Sequence, residues 1–176
     1  MRRLVLAAAV SAAVLAAPAR ASGTEMLSAW LVLDPGPVGG IGVGARYMLP
    51  LADGVIRHPR VRDEFVLEVG VDFAHYGDRV GAPPNVVDYS WNGLLLAAGL
   101  SWNFWLTPRF ALYPKLDLGV WFGSYRGWDD TYGYRRADHG GPYVEPAIGL
   151  IFRLGRADLR LELGSDLTRV GLGFEY

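Results

Sequence analysis

Between Phe110 and Phe122 every second residue is apolar, save one proline: Phe110, Leu112, Pro114, Leu116, Leu118, Val120, Phe122. The residues between them are Ala111, Tyr113, Lys115, Asp117, Gly119 and Trp121. Side chains alternate across a strand with period two, so this stretch is a β-strand with two chemically opposite faces. The same alternation predicts eight strands, at about 25–33, 39–49, 64–76, 91–106, 109–124, 143–154, 158–164 and 168–176. Tight turns fall at Asp34-Pro35-Gly36-Pro37, Leu106-Thr107-Pro108-Arg109, Leu154-Gly155-Arg156-Ala157 and Gly164-Ser165-Asp166. The connections 77–90 and 124–142 are long. So is 50–63, which has room for a short helix or an extra strand pair, the latter leaving ten strands as the alternative.

The apolar parity carries no charged residue on any of the eight strands. The opposite parity carries Arg46, Glu68, Asp72, Asn103, Lys115, Asp117, Glu145, Arg153, Arg160, Glu162, Arg169 and Glu175, separated mainly by glycine and alanine. Two closed barrels fit this alternation, a soluble one with its apolar face inside and a membrane one with it outside. On a water-facing exterior, glycine weakens a strand for no gain. In a narrow lumen it makes room for Arg and Glu to cross, and charges of both signs can pair there. The charged face is therefore read as the lumen. Aromatics support this orientation: Tyr47, Phe65, Phe104, Phe110, Phe152, Phe174 and Tyr176 share the apolar parity and lie near one set of strand ends, as an interfacial girdle does.

The first residues are Met1, Arg2 and Arg3, followed by an apolar run over 4–17 and the small-residue site Ala19-Arg20-Ala21. This is the pattern of a cleaved signal peptide over 1–21, and about 14 apolar residues fall short of the roughly 20 that a spanning helix needs. The chain over 22–176 then forms one domain. Loss of Arg2, Arg3 and Arg20 takes 17 bases against 18 acids to 14 against 18, a formal charge of about −4. That balance excludes nucleic acid as the expected partner. The chain has no cysteine, so disulfides and thiolate metal sites are excluded as well.

These features make the chain resemble the small outer membrane β-barrel proteins of OmpA and OmpX type. The likeness is one of architecture, carried most directly by the C-terminal run Val170, Leu172, Phe174, Tyr176, which ends on an aromatic residue. The resemblance implies an all-β fold, a transmembrane antiparallel up-and-down barrel of eight strands, in the outer membrane of a Gram-negative cell. It also implies export through the periplasm and assembly of that C-terminal strand by the barrel-assembly machinery. The lipid partners it implies are outer membrane lipids and lipopolysaccharide. With an even strand count both termini lie on the periplasmic side, so 34–38, 77–90, 124–142 and 164–167 face outward.

Three kinds of chemistry compete at that outer end. The segment 126–139 interleaves aromatics and charges, and Trp128, Asp129, Asp130, Tyr132, Tyr134, Arg135 and Arg136 are its candidate binding residues for sugars, headgroups or a protein. Its carboxylates match no calcium-loop spacing, so neither a metal nor a cofactor is expected. His75 beside Tyr76, with a hydroxyl from Ser90 or Ser124, is where a lipid-modifying hydrolase or acyltransferase would place its base, although no catalytic signature accompanies it. An eight-stranded lumen filled by its own side chains excludes a wide porin. The sequence thus favours a non-enzymatic structural or surface-interaction protein, with the lipid-active enzyme and a soluble periplasmic barrel holding an apolar ligand as alternatives.

Overall fold

The computed structural model describes residues 25–34, 40–56, 61–80, 87–129 and 133–175. The predicted signal segment, Asp130, Tyr132 and Tyr176 lie outside them. Eight strands follow one another around a closed barrel: β1 Met26–Asp34, β2 Gly40–Asp53, β3 Arg62–Val80, β4 Val87–Thr107, β5 Phe110–Asp129, β6 Gly133–Leu154, β7 Ala157–Gly164 and β8 Thr168–Glu175. Every neighbouring pair is antiparallel, and β1 closes the ring by pairing with β8 from Met26↔Glu175 to Leu33↔Thr168. The described chain thus starts and finishes at one end of the barrel, the terminal end.

The stretch 50–63 holds no extra strand pair among the described residues. β2 runs on to Asp53, Gly54 turns with φ 63°, and β3 begins at Arg62. Glycine suits that left-handed turn. Asp63 fixes it by accepting hydrogen bonds from the Ile56 amide at 3.0 Å and from Trp102 Nε1 at 2.9 Å.

The two long outer connections are largely strand, which corrects the sequence reading. β3 and β4 stay paired up to Val80↔Val87, and β5 and β6 up to Asp129↔Gly133. Backbone pairing there continues past the point where the apolar alternation ends, because pairing needs only N–H and C=O groups. The far end is consequently lopsided. β3 to β6 rise as a tall wall, whereas the β1–β2 and β7–β8 hairpins end low, at Asp34/Gly40 and Gly164/Thr168. The β6–β7 ladder stops at Ala147↔Gly164, so residues 133–146 of β6 have no β7 partner. Just above that ladder, the Pro146 carbonyl accepts from the Ser165 amide at 3.2 Å.

The faces divide as the parity demands. Leu116 and Leu118 are 46% and 43% exposed on the outer wall, while Asp117 between them is fully buried. Ile148 at 65% and Val144 at 60% extend the apolar exterior, and Glu145 beside Val144 is sealed. The soluble arrangement, with apolar residues inside, is not the one this chain adopts. Aromatic rings gather on the outer wall toward the terminal end: Phe65 stacks on Trp102 at 4.8 Å, Trp102 meets Phe104 at 4.6 Å, and Phe110 meets Phe152 at 5.0 Å.

Candidate functional site

The barrel interior is built from the charged parity of six strands. Arg46 from β2 reaches Asp72 on β3 at 2.6 Å and Asp117 on β5 at 3.4 Å. Lys115 on β5 sits among Glu68, Glu162 and Asp117 at 2.8, 2.9 and 3.3 Å. Arg169 on β8 joins Glu162, Glu145 and Asp72 at 2.7, 2.8 and 3.1 Å, and Arg160 on β7 meets Glu68 at 3.2 Å. All nine residues are buried. Four bases against five carboxylates make a lattice in which the ions have charged partners, the condition under which buried ions persist.

Small residues make the room. A Cβ placed on Gly99 would land on the Asp117 carboxylate, and one on Gly44 would land on that of Asp72. β1 and β4 bring no charge to the lattice. They contribute Ser28, Trp30 and Val32, and Leu95, Ala97 and Ser101, as the packing between ions.

Arg153 and Glu175, read from the sequence as lumen residues, stand at the terminal rim outside this lattice. They are paired with each other at 3.6 Å, half-buried, and Arg153 also bonds Asp158 at 3.2 Å and lies over the Trp105 ring at 4.3 Å. Three buried acids were missed: Asp63, Glu64 and Asp158. Asp158 was legible, since it lies two residues before Arg160 on one strand face. Asp63 was not, because the predicted strand began after it.

Above the lattice, at the far end, the lumen opens into a cavity of about 280 Å³. Its tall side carries one aromatic residue from each strand of the wall: Tyr76 on β3, Trp91 on β4, Trp121 on β5 and Tyr143 on β6. Tyr76 stacks on Trp91 with centroids 4.6 Å apart, and Trp91 meets Trp121 at 5.7 Å. Glycines make the room for these rings. Added Cβ atoms at Gly40, Gly93 and Gly123 would collide with Tyr76, Trp91 and Trp121 respectively. Its low side carries Asp34, which accepts from the Tyr76 hydroxyl at 3.0 Å, and Asp166 in the β7–β8 turn. Glu145 ties that turn to the lattice by accepting from the Leu167 and Asp166 amides at 2.8 and 3.3 Å. Sequence reading passed over the mouth, although Trp121 shares a strand face with Lys115 and Asp117.

The other expected sites are not assembled in the manner expected. Trp128, Asp129, Tyr134, Arg135 and Arg136 belong to the upper strands β5 and β6, in place of a loop. His75 lies on the outer face, and its Nδ1 is 2.8 Å from Asn92 Oδ1. In register, Asn92 stands between His75 and Ser124, so a base–hydroxyl pair of those two is not formed. Of the C-terminal run, Val170, Leu172 and Phe174 face outward on β8, which closes the barrel against β1.

This arrangement of strands is found in the N-terminal β-barrel domain of Pseudomonas aeruginosa OprF, with a TM-score of 0.50 over 88% of this chain and 100% of that one, at 15% identity. The two share a fold. Ail, the attachment invasion locus protein of Yersinia pestis, aligns over 87% of this chain and 95% of its own at 14% identity and a TM-score of 0.46. Neisserial surface protein A aligns over 86% and 96% at 13% identity and a TM-score of 0.31. At the level of architecture the chain resembles small outer membrane barrels. No protein-family model and no curated protein matches it in sequence.

Proposed function

We propose that this chain is an integral outer membrane barrel whose lumen is closed by its own ions and whose outer end serves surface interaction. The observation that carries the reading is the inversion of the two faces: leucines and isoleucines bare on the outside, carboxylates at zero exposure within. In water such an exterior would expose far more contiguous apolar surface than a soluble monomer tolerates. Hydrocarbon favours it, and closure of β1 on β8 satisfies the backbone groups that hydrocarbon cannot. The height also fits. On β4 the outward apolar residues run from Leu94 to Leu106. Twelve residues at about 3.3 Å along a strand tilted about 40° climb roughly 30 Å, the thickness of a bilayer's hydrocarbon core.

Surface interaction is favoured over transport because the lattice fills the interior across six strands. It is favoured over lipid chemistry because Ser124 lies two strands from His75 in register and its hydroxyl makes no hydrogen bond to that ring. Cell fractionation together with gel migration before and after boiling tests the proposal. The protein is expected in the outer membrane fraction, with a folded band that shifts on heating. Recovery from the periplasm without detergent would refute it.

A further inference from the structure

The cavity at the far end has a chemistry of its own. Three carboxylates line it, Asp34, Asp72 and Asp166, and no base does. Arg46 and Arg169 lie beneath it, both bonded to Asp72 in the lattice. Tyr76 and Trp91 stack face to face, and Trp91 tilts by 39° against Trp121, so the tall side of the cavity is a continuous cluster of aromatic rings. The negative face of an aromatic ring attracts a cation, most strongly from tryptophan. We infer that this mouth binds a small organic cation, an alkylated or quaternary ammonium, held between the aromatic wall and the carboxylates of the low lip.

The alternatives fit the same walls less well. An anion would meet three acids. A bare metal ion would need a set of ligands, and the described residues hold no cluster of three or more His, Cys, Asp or Glu that could take one. A neutral sugar would leave the charge of the lip carboxylates unanswered. A charge carried on methyl groups matches both the rings and the acids. Among the described residues the strands on the Asp34 and Asp166 side end lower than β3 to β6, and the tall wall stands opposite them. The inference deepens the surface-interaction reading by naming the ligand class, and it rests on that reading only for the direction from which the ligand comes.

The test is a titration of the full barrel, labelled at tryptophan nitrogen, in micelles of a neutral polyoxyethylene detergent, which carries neither ammonium nor sugar. Choline is the probe, 3,3-dimethylbutan-1-ol its uncharged isostere, and glucose a third arm. Trp91→Phe and Trp121→Phe identify the two indole signals, and Trp105, at the opposite end, is the internal control. Choline is expected to move the Trp91 and Trp121 signals saturably and leave Trp105 in place, with the alcohol binding about tenfold or more weakly. Asp166→Asn, on the exposed turn, is expected to weaken choline several-fold and leave the alcohol unchanged, with its heat-shifted gel band confirming the fold. Equal response to choline and the alcohol, response to glucose in place of choline, or no response to any probe would each overturn the inference. A barrel that fractionates to the outer membrane yet ignores choline loses this inference alone. One that binds choline but is periplasmic loses only the membrane placement.

Discussion

Glu68 answers two cations at once, with Lys115 Nζ at 2.8 Å and Arg160 Nη1 at 3.2 Å, and it accepts from the Ser101 hydroxyl at 3.3 Å. Its removal leaves two buried positive charges short of a counter-ion. Glu68→Leu is therefore expected to cost about 3–5 kcal/mol, read as a lower urea midpoint in vesicles. Arg153 makes a similar number of contacts at the terminal rim, but its side chain is 27% exposed. Water screens its pairs, and Arg153→Leu is expected to cost only about 1 kcal/mol in the same assay. Equal losses for the two variants would contradict the distinction between lattice and rim. Gly99 belongs to the lattice as much as the ions do, since a methyl there would displace the Asp117 carboxylate. Gly99→Ala is expected to cost about 1–3 kcal/mol, seen as a smaller heat-shifted folded fraction after refolding.

At the scale of the strand, exposure and tolerance part company. Ile148 on β6 is 65% exposed, and on a soluble protein an arginine there would be close to neutral. Facing acyl chains, Ile148→Arg is expected to destabilise the folded barrel by about 2–4 kcal/mol, measured by urea unfolding in a bilayer. An unchanged midpoint would argue against lipid on that face. The strands themselves were legible in the sequence wherever two environments meet across the wall, as in Leu116-Asp117-Leu118. They were illegible where the apolar period stops before the ladder does. Above Tyr76 and Ser124 the alternation lapses in the sequence while the hydrogen-bonded pairing goes on to Val80↔Val87 and Asp129↔Gly133. The candidate site was half legible for a related reason. Charges on an otherwise small-residue face advertise themselves, but Trp91, Trp121 and Tyr143 read as ordinary strand aromatics until the register sets them side by side.

For the molecule as a whole, the lattice and the ring of strands have one functional consequence, a wall without a hole. Reconstituted in a planar bilayer, the barrel is expected to show no porin-sized conductance, and a large steady current would contradict the filled lumen. The protruding part of β6 leaves the ring open along residues 133–146, as β3 does more briefly above His75. The Pro146 carbonyl points away from β5 to meet Ser165, so in an antiparallel strand the imide nitrogen of Pro146, and that of Pro142 four residues earlier, face that same bare margin. A foreign strand trying to zip onto it would find two rungs without a proton to give, and stacking of neighbouring molecules into a fibre is blunted there by the ring chemistry of proline alone.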